Sequence, residues 1–162
     1  MGSSSRIAAR VFGVAALVGI ACAAAARADD PAATATYKDI AATLGLVPGF
    51  FKAFPESGIA GAWAEFKSVQ LSPSTKLNGK TKELIGLAVA SQIPCSYCVY
   101  FHTAAAKANG ATDDEIKEAV AMAAISRHWS TVLNGSQIDL ASFKRETDAV
   151  LKAAADRTAN SH

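Results

Sequence analysis

The stretch "KTKELIGLAVASQIPCSYCVYFH", residues 80–102, settles how the chain folds. Between the turn signal Asn78-Gly79 and Pro94 it carries good helix formers, with apolar and small residues at three- and four-residue spacings and no period-two alternation. Pro94 ends that run and fits the first helical position, or the residue just outside it, of a second helix beginning near Cys95. The same grammar extends outward. Gly45, Pro48, Pro55, Pro73, Gly110 and Asn134-Gly135 cut the rest of the chain into helix-length pieces. The spacing predicts helices near 37–44, 57–71, 80–91, 95–108, 113–133 and 137–156, with a short helical turn after Pro48. The expected fold class is all-α, and 162 residues suffice for one domain with its own core.

Two of these helices carry recognisable ends. Thr112-Asp-Asp-Glu115 is a capping-box sequence, and Gly110 just before it suits the left-handed stop of the preceding helix. In "DDEIKEAVAMAAISRHWSTVLNG", residues 113–135, apolar side chains cover more than one narrow stripe, so the helix needs a second partner surface. Burial within the monomer and a contact between subunits both satisfy that need.

The N-terminus reads as a separate unit. Arg6 and Arg10 precede an apolar run from Val11 to Ala26, and Ala26-Arg27-Ala28 closes it, which is the layout of a cleavable secretory signal peptide over residues 1–28. The run is shorter than the roughly 18–20 apolar residues a membrane span needs. Gly19 stands where a lipid-attachment signal would place a larger aliphatic residue ahead of Cys22, so Cys22 belongs to the discarded segment. Residues 29–36, "DDPAATAT", read as a flexible lead-in, and the helical domain is expected over 37–158. The leader holds three of the 16 basic residues and none of the 14 acidic ones, so the mature chain is close to neutral. Without Lys/Arg clusters it has no electrostatic case for binding nucleic acid or an anionic membrane. Export makes the expected location periplasmic or secreted, where Cys95 and Cys98 meet oxidising conditions and start as a disulfide.

Cys95, Cys98 and His102 carry the chemistry. A helix start at Cys95 favours a thiolate, because unpaired backbone donors and the positive end of the helix dipole stabilise negative charge there. Cys98 lies three residues on and His102 four more, so the three share one helical face. Attachment of a c-type haem would need histidine at position 99, which is Val99. A zinc site would have three ligands here and no second cysteine pair. A redox-active dithiol and a structural crosslink remain, and a four-residue loop makes the crosslink weakly stabilising. On the preceding helix Glu83 reads either as a surface carboxylate near Lys80 and Lys82 or as a partner that orients His102. No pattern calls for a cofactor or a metal.

"KELIGLAVASQIPCSYCVYFHTAAAKANGATDDEIKEAV", residues 82–120, resembles the alkyl hydroperoxidase D-like, or carboxymuconolactone decarboxylase-like, family. The likeness lies in the ordered spacing: a glutamate, eleven residues, C-x-x-C, three residues, a histidine, then a glycine and an acidic helix start. It extends from about Leu46 to about Gly135. The resemblance implies an all-helical, homo-oligomeric protein that reduces hydroperoxides or exchanges disulfides. It implies Cys98 as the peroxide-attacking thiolate, Cys95 as the resolving thiol and Glu83 with His102 as a proton relay. Tyr97 stands where some peroxidase members have a further histidine, which implies a shorter relay. Electrons would come from a thiol reductant that the sequence does not identify.

Overall fold

The computed structural model describes residues 30–160, so the segment expected as a signal peptide and His162 lie outside the described residues. Every regular element among the described residues is helical. They are α1 (Pro31–Leu44), a 3-10 turn (Gly49–Ala53), α2 (Glu56–Glu65), a π-helical turn (Phe66–Leu71), α3 (Gly79–Gln92), α4 (Ser96–Ala108), α5 (Asp113–Gly135) and α6 (Leu140–Ala159).

Residues 31–36, expected as a flexible lead-in, instead form the opening turns of α1. Asp30 caps the helix by accepting from Ala32 N at 2.9 Å, and Pro31 occupies the first helical position, where its fixed φ and missing N–H cost nothing. Ala33 and Thr36 are then buried. Small-residue composition read as linker is here a close-packing helix face. The expected helix over 57–71 also divides: its last turn widens from α to π at Phe66. Elsewhere the end signals act as read. Gly45 and Gly110 both take φ +83° at helix ends, a conformation costly for side-chain-bearing residues. Thr112 and Glu115 form the reciprocal capping box at 2.8 and 3.1 Å.

The core has two parts. Ala33, Ile40, Phe51, Ile59 and Trp63 form a cluster between α1, the 3-10 turn and α2, with Tyr37, Val47 and Phe66 packed against it. The other part is centred on α3, which packs on both α4 and α5. Leu87 and Ala90 of α3, Ala106 of α4 and Ala123 of α5 are buried there. Alanine at three of these four positions lets the helices approach closely. The end of α3 is tied to α5: Gln92 Nε2 donates to Ala123 O at 2.6 Å, and Arg127 Nε donates to Gln92 Oε1 at 2.8 Å. This anchors the segment immediately before the cysteines. By contrast α6 has no buried residue, and Leu140, Phe143, Val150 and Leu151 on it are exposed.

A polar tie closes the first cluster. Trp63 Nε1 donates to Asp39 Oδ2 at 2.6 Å, and Lys67 Nζ approaches both Asp39 oxygens at 2.8 and 2.9 Å. The Lys67 hydrogen bond, with the indole donor adding to it, holds the Asp39 carboxyl below its ordinary range. A carboxylate whose folded-state value is depressed stabilises the fold above its unfolded value, about 3.9, and loses that contribution as pH falls through the folded value. Asp39→Asn should therefore melt below wild type near pH 7. The gap between the two Tm values should narrow as the pH drops below about 4, and a gap independent of pH would sink this account.

Candidate active site

Helix α3 aims Glu83, Leu87 and Ala90 along one buried face, because residues four and three apart stack on one side of a helix. The face that holds the core thus holds the carboxylate, and Glu83 is only 4% exposed. Helix α4 faces it. Cys95 is the N-cap of α4, where its Sγ accepts from Cys98 N at 3.2 Å, and Pro94 lies just outside. Cys95 and Cys98 are joined as a disulfide. One turn beyond Cys98, His102 Nδ1 meets Glu83 Oε2 at 2.7 Å. All four residues singled out in the sequence are therefore gathered at the α3–α4 junction, and Glu83 is a buried partner of His102, not a surface carboxylate.

An ionised carboxylate only accepts, so Nδ1 is the donor in this contact, and in the neutral ring Nε2 keeps a free lone pair. The ring is held on two further sides. Phe101 contacts it edge-on with centroids 5.3 Å apart, and Gly86 of α3 lies so close that a Cβ there would fall within 3.0 Å of Nδ1, Cε1 and Nε2. Gly86 is a residue that sequence reading passed over. Its signal was a glycine inside a helix, which costs about 1 kcal/mol relative to alanine unless a close approach uses it. Gln70 was also missed. Its Nε2 donates to both Glu83 oxygens, at 3.2 and 3.4 Å, from the π-helical turn, and nothing in its local sequence announces that contact.

The site opens on a cleft of about 770 Å³ whose lining includes Phe50, Phe66, Gln70, Cys95, Cys98 and His102. Aromatic walls with a few convergent polar groups suit a small, partly apolar ligand. A second hollow of about 730 Å³ along α3 and α4 reaches Cys95 but not Cys98. Among the described residues no three His, Cys, Asp or Glu side chains gather closely enough to hold a metal ion. The arrangement brings together two sulfurs that can exchange electrons and a carboxylate–imidazole pair that can move a proton.

The family model for the carboxymuconolactone decarboxylase family matches residues 58–138, which run from within α2 through the end of α5. A Paracoccus denitrificans protein described as uncharacterized protein 4 in the cox locus is 34% identical over 85 residues, covering 50% of this chain and 77% of its own. Among solved structures, the alkylhydroperoxidase AhpD core from Rhodospirillum rubrum superposes with a TM-score of 0.60 at 31% identity. That match covers 68% of this chain and 83% of the other.

Proposed function

The chain belongs to the carboxymuconolactone decarboxylase family, and from that premise we propose that it is a thiol-dependent peroxidase of the alkyl hydroperoxide reductase type. The observation that carries this reading is the Glu83–His102 pair, whose imidazole lines the same cleft as the Cys95–Cys98 bond while its carboxylate is buried behind. A structural crosslink has no use for a proton relay at that place.

In the proposed cycle His102 Nε2 takes the proton of the reduced Cys98 thiol, and the resulting thiolate attacks the O–O bond of a hydroperoxide. Sulfur takes one oxygen and becomes a sulfenic acid, and the O–O electron pair leaves with the alcohol oxygen, which receives a proton through His102. The Cys95 thiol then attacks the Cys98 sulfur, expelling water and forming the disulfide. A dithiol reductant returns two electrons and two protons. Cys95 lines both hollows and is the sulfur open to that reductant, whereas Cys98 lines only the cleft that also holds His102. With the leader read in residues 1–28, the cycle belongs to the periplasm or the outside of the cell, and the reductant must act there.

A second reading has its own support. Cys95 is the N-cap of α4, a position that favours a thiolate, and this supports dithiol–disulfide exchange without peroxide turnover. Purified protein mixed with an organic hydroperoxide and dithiothreitol separates the two. Protein-dependent loss of peroxide is expected; rapid disulfide exchange with no loss of peroxide would replace the first reading by the second. We propose a homo-oligomer as well, because α6 buries nothing and α5 exposes Met122, Ile125 and Trp129. Light scattering on the same preparation reads this directly, and the mass of a single chain would overturn it.

A further inference from the structure

Gln70 is a polar side chain of the cleft that the cycle above does not use. It is half-buried in the turn Phe66–Leu71, the one π-helical segment among the described residues. Such turns are rare and frequently sit at functional sites, since the extra residue redirects the side chains that follow. Here Gln70 points its Nε2 at both oxygens of Glu83. Its backbone is held too: Lys82 Nζ donates to Ser72 O at 2.8 Å and approaches Gln70 O at 3.5 Å, so α3 grips the turn that delivers the amide. A buried carboxylate needs donors on its oxygens. His102 supplies one and Gln70 the other.

We propose that Gln70 is a positioning residue for the Glu83–His102 pair. By donating to both oxygens it fixes the plane of the carboxylate, reserves the near lone pair of Oε2 for Nδ1, and holds the imidazole in the tautomer whose Nε2 is free. The residue type fits the task. A lysine or arginine there would compete with the imidazole as the counter-ion of Glu83, and a glutamate would set two carboxylates together, which cannot both ionise cheaply. An amide orients without adding charge. This deepens the relay reading above and rests on it, yet its test needs no turnover.

The test compares wild type with Gln70→Met, similar in length but without a donor, and with Gln70→Glu. One readout is the ¹⁵N spectrum of the His102 ring, which distinguishes the two neutral tautomers. The other is the rate at which iodoacetamide alkylates reduced Cys98, followed against pH in a Cys95→Ser background. Wild type should show the Nδ1–H tautomer. Gln70→Met should show a mixture and alkylate about tenfold more slowly, the scale of one lost hydrogen bond to a charged group. In Gln70→Glu the alkylation profile should be displaced along the pH axis. Wild-type tautomer and profile in Gln70→Met would overturn the proposal. Should that variant not fold, an undisplaced profile in Gln70→Glu does the same. A shifted tautomer in a protein that destroys no peroxide would support Gln70 while sinking the peroxidase reading.

Discussion

Cys98→Ser is expected to lower peroxide turnover by about 10³-fold or more, the scale seen when a covalent nucleophile is removed, and Cys95→Ser should stop after one equivalent of peroxide. The two sulfurs have different advantages. Cys95 sits at the N-cap of α4, against the unpaired donors and the positive end of the helix, so charge is stabilised on it. Cys98 is inside the first turn and has His102 one turn further along the same face. What separates them is the leaving group. Breaking an O–O bond releases a strongly basic alkoxide, and only the sulfur beside a proton donor can attack without that penalty. Hence Cys95→Ser should accumulate a Cys98 sulfenic acid, trapped by a cyclic dione and read by mass spectrometry. Trapping it in Cys98→Ser instead would show the roles reversed. Neither variant should unfold, since the lost bond closes a loop of sequence separation 3, and so short a loop restrains the unfolded chain little.

The helices and their ends were legible because they depend on local rules. Thr112, Glu115 and Gly110 act within a turn or two of themselves, and their sequence states the result. The Cys95, Cys98 and His102 constellation was legible for the same reason, all three lying on one helix. Glu83 was not decided by its own helix, where a surface carboxylate and a partner of His102 both fitted; the ordered spacing of the family resemblance singled it out, and its burial follows only from which face of α3 packs inward. Gln70 and Gly86 were not legible. Each owes its role to an element distant in sequence: Gln70 reaches across from the turn after α2, and Gly86 matters because His102 of α4 fills the space its missing side chain leaves. The first turns of α1 were misread for a related reason. Alanine and threonine look the same in a linker and on a close-packed helix, and only the surface they pack against tells them apart.

Glu83→Gln should reduce kcat/KM for hydroperoxide by about 10²–10⁴-fold, the usual contribution of a positioned proton-transfer group, while leaving the fold intact. The change preserves shape and removes both the charge and one acceptor. In the native site the two carboxylate oxygens serve the Nδ1 of His102 and the amide of Gln70, both donors. A glutamine offers one oxygen and one NH₂, so if the oxygen faces His102 the new amide confronts the donor of Gln70, and if it faces Gln70 it confronts Nδ1. One donor pair is opposed in either orientation, at a cost of about 1–3 kcal/mol for a buried group left unsatisfied, until Gln70 turns its amide over or the imidazole changes tautomer. The imidazole itself has little room to leave, being set between Phe101 and the backbone at Gly86. The loss should therefore come from the ring's altered tautomer and weakened basicity, not from its departure, and should appear mainly in the step that protonates the alkoxide. Steady-state kinetics across pH would show this as a lower kcat/KM with a changed profile, beside a Tm lowered by several degrees in a transition that stays cooperative. A variant with wild-type kcat/KM would mean that the buried pair only docks α3 against α4, leaving the thiols to react without a relay.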